Sequence, residues 1–171
     1  MNSQNLKKIV LTAVLAAIAV ACSPLSIQVF ASKCFPVQHL VNILSGVFLG
    51  PLYAVAQAFT ASLIRNLMGT GTLLAFPGSM IGALLSGLLY QKWKKLPLAY
   101  IGELAGTGLL GGIGAFFMAT LVMGKEAAFF TYVPAFLLSS LGGTLIAAAL
   151  IPALKKAGAD RVFRTETQNA G

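Results

Sequence analysis

Long apolar runs alternate with short breaks of glycine, proline or charge from one end of the chain to the other. No strict period-two alternation runs through them, so the pattern does not support a membrane β-barrel. The runs predict six helices. The first covers about 9–22 and is broken at Ser23-Pro24. A linker leads to Pro36, suited to the first position of a second helix over about 37–49. Gly50-Pro51 forces a turn into a third helix over about 52–67. A glycine- and threonine-rich loop, 69–72, and Pro77-Gly78 precede a fourth over about 79–91. A lysine-rich connection ending at Pro97 leads to a fifth over about 98–123, and a short turn at 124–126 to a sixth over about 127–154. The polar tail, 155–171, is predicted to be disordered.

Composition turns this pattern into a fold class. Hydrophobic residues make up 57% of the 171 positions and charged residues 9%, against about 25% charged in an ordinary soluble protein. Mean hydropathy is +0.85. Such a chain cannot supply a polar surface, so it reads as all-α and polytopic, a single membrane domain over 1–171.

The net charge of +8 raises the question of nucleic acid. The positions answer it. Lys7 and Lys8, then Lys92, Lys94 and Lys95, then Lys155, Lys156, Arg161 and Arg164 sit in short clusters beside apolar runs. Nucleic-acid binding calls for a continuous basic surface with stacking aromatics. With six helices, all three clusters fall on one side, leaving only Lys33, Arg65 and Lys125 on the other. The positive-inside rule makes the clustered side cytoplasmic, with both termini there.

Cys22 and Cys34 lack metal-ligand spacing and read as apolar fillers. Lys7-Lys8, an apolar stretch and Ala19-Val-Ala-Cys22 have the outline of a lipoprotein signal. Ala19, however, stands where a larger residue usually precedes the modified cysteine, and the segment reads as a retained helix.

Small residues mark close packing. Ala13, Ala17 and Ala21 form a stripe on the first helix; Gly102, Gly106, Gly108 and Gly112 recur on the fifth. Such spacing lets helices approach closely in lipid. The first stripe serves either internal packing or contact with another membrane protein.

The chain has no phosphate-cradling P-loop, so ATP hydrolysis is not its own chemistry. One histidine and four acids offer no metal site and no cofactor. What remains is a polar cluster in the stretch KCFPVQHLVN, 33–42. His39 and Asn42 share a helix face, with Gln38 adjacent. Arg65 and Asn66 end the third helix at the same outer level. Phe35, Phe76 and Tyr132 lie in or near the flanking segments. Hydrogen-bonding groups in an apolar, aromatic surround suit a small heteroaromatic ligand; capping of helix ends at the interface is the alternative. Glu103 lies about two turns from the cytoplasmic end of the fifth helix, with Thr107 one turn deeper. That is the wrong side for an outer pocket. A structural hydrogen bond, a switching role and ligand contact all remain open for it.

KCFPVQHLVN, the segment SLIRNLMGTGTLLAFPGSMIGALLSGLLY at 62–90 and GELAGTG at 102–108 resemble the ThiW family. These are substrate-binding S components of energy-coupling factor transporters, linked to the thiazole precursor of thiamine. The resemblance covers nearly the whole helical span. It implies a six-helix bundle that binds hydroxyethylthiazole near the outer face. It also implies a transmembrane coupling protein contacted through Ala13, Ala17 and Ala21, and two partner ATPases that use the ATP. Phe35 or Phe76 would stack on the ring, and Gln38, His39, Asn42 and Asn66 would bond its nitrogen and the hydroxyl. Arg65 would matter for a phosphorylated ligand. An S component for another vitamin, a ligand-free membrane scaffold, and an intramembrane enzyme using Cys34 and His39 are the competing readings.

Overall fold

The computed structural model describes residues 3–29, 32–159 and 163. Six helices follow one another: α1 (Ser3–Ala21), α2 (Pro36–Phe48), α3 (Pro51–Leu67), α4 (Ala75–Trp93), α5 (Leu96–Val122) and α6 (Val133–Lys156). Among the described residues, α1, α5 and α6 are long and apolar enough to cross a membrane. Helix α2 has only 13 residues, about 20 Å of rise, against a hydrocarbon core of about 30 Å.

The linker between α1 and α2 contains an antiparallel hairpin. Strand β1 (Ile27–Val29) pairs with β2 (Ser32–Cys34), with Ile27 opposite Cys34 and Gln28 opposite Lys33. Helix α1 starts six residues before its expected beginning and takes Lys7 and Lys8 into its first turns. Helix α6 starts six residues later than expected. Pro134 sits in its first turn, where the missing N–H costs nothing. The apolar run before it forms turns. Of the tail, residues 160–162 and 164–171 lie outside the described residues, and with them the predicted disorder there and the basic pair Arg161 and Arg164. Phe163 stacks on Phe48 with centroids 4.5 Å apart.

Helix α2 is the centre of the bundle. Every position from Val41 to Val47 is buried, as are Gln38 and His39. A helix buried all round must be apolar or have its polar groups answered, and the second applies to its first turns. Helix α1 lies outside, with Thr12, Leu15, Ala16 and Ala19 turned inward. Ala13, Ala17 and Ala21 are exposed.

Helices α4 and α5 meet along glycine. A Cβ on Gly106 would lie 2.6 Å from the Gly82 Cα, and one on Gly102 would lie 2.7 Å from the Ser86 N. Small residues at this seam bring the backbones together. Helix α5 is not uniform: Leu104–Gly111 and Met118–Val122 are π-helical.

The lysines mark one end of the bundle. Lys8 lies over the Tyr53 ring, and Lys155 bonds the Tyr90 hydroxyl and lies over Phe48. The hairpin marks the other end.

Candidate functional site

At the hairpin end, the first turns of α2, α4 and α6 and the last turn of α3 converge on one recess. It is partly enclosed, with about 390 Å³ of atom-free space that is in part open to solvent. Lys33, Phe35, Gln38, His39, Arg65, Thr72, Ala75, Ser79, Phe136 and Ser139 line it.

The hairpin is tied down where it enters α2. The Cys34 thiol donates to the Ala135 carbonyl at 3.3 Å, and the Phe35 N–H donates to Ser139 Oγ at 2.7 Å. Burial pushes the Cys34 thiol above its ordinary pKa. Phe35 then lies over the Arg65 guanidinium, 3.5 Å from ring centroid to Cζ, a cation–π contact.

A chain of hydrogen bonds runs from Arg65 inward. Arg65 Nη1 donates to Gln38 Oε1, and Gln38 Nε2 donates to Ser62 Oγ at 3.1 Å. Ser62 and Ser79 hydroxyls are 3.0 Å apart. Asn42 Nδ2 donates to the Ser79 carbonyl at 3.2 Å and to Glu103 Oε1 at 3.1 Å. Both amide protons of Asn42 are thereby used.

Glu103 is the surprise of the site. Its position near the start of α5 placed it away from an outer pocket. Yet its Oε1 lies 2.8 Å from His39 Nδ1 and accepts from Asn42, and Thr107 Oγ1 stands 2.9 Å away. The reason is the shortness of α2. Its first turn begins deep in the bundle rather than at the outer rim, and so reaches the level of Glu103. Glu103 is fully buried, and its Oε1 is the shared acceptor of the cluster. With Nδ1 committed, Nε2 is the ring nitrogen of His39 left for the recess.

The expected site residues divide. Phe35, Gln38, His39 and Arg65 line the recess. Asn42, Glu103 and Thr107 stand behind His39 and fix it. Asn66 bonds the Ser62 and Thr72 carbonyls and closes the end of α3. Phe76 meets Phe59 edge-on, and Tyr132 packs with Leu74, Ala115, Ala119 and Phe136; neither lines the recess. Lys33, Thr72, Ala75, Ser79, Phe136 and Ser139 line it without having been singled out. For Ser79, a serine beside Gly78 and Gly82 on one small-residue face was a usable signal. Phe136 looked like any apolar helix residue.

An apolar helical bundle with a polar, partly enclosed recess defines a membrane protein suited to handling a small molecule. The chain belongs to the ThiW family of thiamine-precursor transporter proteins, whose model matches residues 9–157. No curated protein and no solved structure matches the chain.

Proposed function

We propose that this transporter-family chain is the substrate-binding S component of an energy-coupling factor importer. In this reading it takes up the thiazole half of thiamine, as hydroxyethylthiazole or a close derivative, and performs no chemistry on it. The observation that carries the reading is the recess itself: apolar surface from Phe35, Ala75 and Phe136 beside polar groups, several of them held by hydrogen bonds. Held through Nδ1, His39 presents Nε2. Protonated, it donates to a ring nitrogen; neutral, it accepts from a hydroxyl. Arg65 and Ser139 supply further donors. Phe35 contributes its free ring face, since the other covers the guanidinium. Asn42, Glu103 and Thr107 hold His39 in place.

The same reading has six membrane crossings, with the short α2 and α3 shielded by their neighbours and both termini cytoplasmic in the plasma membrane. The exposed stripe Ala13, Ala17 and Ala21 is the surface for a transmembrane coupling protein. Two partner ATPases supply the ATP-driven step, which this chain's lack of a P-loop leaves to others. Titration of the purified, folded protein with hydroxyethylthiazole and thiamine tests the ligand. Binding of hydroxyethylthiazole or its derivatives in preference to thiamine supports the reading; no binding of any thiazole sinks it.

A further inference from the structure

Arg65 is the most unusual residue of the bundle. It is 1% exposed, yet among the described residues no carboxylate lies within ion-pair distance of it. The one acid–base pair found there joins His39 to Glu103. Glu103 Oε1 is already committed to His39 and Asn42. Glu126 sits exposed in the α5–α6 loop. Lys33 adds a second positive charge to the same recess. A buried charge without a counter-charge is costly, and a protein interior ordinarily supplies the partner.

The guanidinium is also oriented. Gln38 holds Nη1, and Gln38 is itself held by Ser62. Phe35 covers one face. The two nitrogens left without a hydrogen-bond partner are Nε and Nη2. Their N–H bonds run side by side along one edge of the plane, the fork that takes two oxygens of a phosphate or carboxylate at once.

We propose that the recess is built for an anionic ligand, a small heteroaromatic bearing a phosphate ester or a carboxylate, whose oxygens sit on the Nε–Nη2 edge of Arg65 with Lys33 at the rim. This deepens the thiazole reading and rests on it for the ring. The ligand supplies the counter-charge that the protein withholds. An empty recess leaves the arginine unanswered, so occupancy stabilises the bundle as well as filling it.

The test is a titration of the purified full chain, in phosphate-free buffer, with four probes: hydroxyethylthiazole, its phosphate ester, a thiazole carboxylate and inorganic phosphate. The ester or the carboxylate is expected to bind at least about tenfold more tightly than the neutral alcohol, the scale of a charged hydrogen bond; whichever wins names the anion. Arg65→Gln is expected to abolish that preference while the alcohol still binds. Because Arg65→Gln disturbs a buried network, Lys33→Gln at the exposed rim serves as a second variant, expected to narrow the preference without affecting folding. Equal affinity for alcohol and anions in the unaltered protein overturns the proposal and leaves the thiazole reading standing. A preference unchanged in both variants overturns the placement on Arg65. Binding of inorganic phosphate with no thiazole binding supports the anion site and overturns the thiazole reading. No binding of any probe overturns both.

Discussion

His39 and Glu103 are 64 positions apart in sequence, and their Nδ1 and Oε1 atoms are 2.8 Å apart in the fold. The pair joins the first turn of α2 to α5 and sets which ring nitrogen faces the recess. Glu103→Gln keeps the shape but removes the charge and adds a donor facing His39. The fold is expected to persist, while ligand affinity falls by about tenfold or more. Glu103→Ala leaves Asn42 and His39 without their acceptor, at about 1–3 kcal/mol for each stranded group. A large drop in thermal midpoint for Ala beside a small one for Gln would bear this out. Equal drops would mean that an uncharged acceptor of the same shape cannot stand in for the carboxylate.

The α4–α5 seam makes a sharp distinction between glycines. Gly106→Ala puts a methyl 2.6 Å from the Gly82 backbone, which has no side chain to swing aside. It is expected to destabilise by about 1–3 kcal/mol. Gly142→Ala meets only Pro36 ring carbons at 3.4 Å, an ordinary contact. There, alanine's better helix propensity is expected to leave stability unchanged or raise it by up to about 1 kcal/mol. Thermal unfolding of the two variants side by side decides the matter.

Helix α1 has two alanine faces, and they are expected to respond differently to bulk. Ala17→Trp adds a side chain on the exposed face and should block assembly with a coupling protein while leaving ligand titration unchanged. Ala16 is 1% exposed, packed with Leu15, Val41 and Ala61, and Ala16→Trp should damage the fold itself. Co-purification measures the first effect and melting the second. An Ala17→Trp chain that still assembles normally would remove the stripe from the interface.

Cys34 reports on the hairpin. Its thiol is buried, bonded to Ala135 and raised in pKa by burial. At neutral pH less of it is thiolate than in a free cysteine, and the thiolate is the reactive form. Maleimide is expected to label Cys22 first and Cys34 slowly, with the Cys34 rate climbing as pH rises. Ligand should slow Cys34 further if the hairpin must lift for entry. Labelling of Cys34 as fast as Cys22 would show the hairpin to be open in solution.

Much of the helical layout was legible because proline and glycine punctuate it. Pro36, Gly50-Pro51 and Pro97 each stand where a helix begins or turns. Part of the recess was legible for a simpler reason: Gln38, His39 and Arg65 are polar residues in apolar surroundings, and such residues need partners. The partners were not legible. Nothing in one dimension says that α2 starts deep enough for His39 to meet Glu103. The β1–β2 hairpin was hidden too, because three-residue strands leave no periodicity to read. Phe136 and Ser139 became wall residues only once α6 lay against the hairpin.

The π-helical stretch that follows Glu103 has a consequence for variation by insertion and deletion. A π turn holds one residue more than an α turn needs. Removing one residue from 104–111 would let α5 relax to an ordinary α-helix with everything beyond kept nearly in phase, whereas winding the present residues into regular α turns would rotate everything beyond by about 100° about the axis. In that regular helix Gly112 and Ala115 would swing away from the positions they now pack in, while Glu103, lying before the stretch, would keep its hold on His39. The extra residue thus acts as a phase adjuster: it lets a single helix serve the site at one end and its packing against α6 at the other, two demands that a regular helix of this sequence could not meet together.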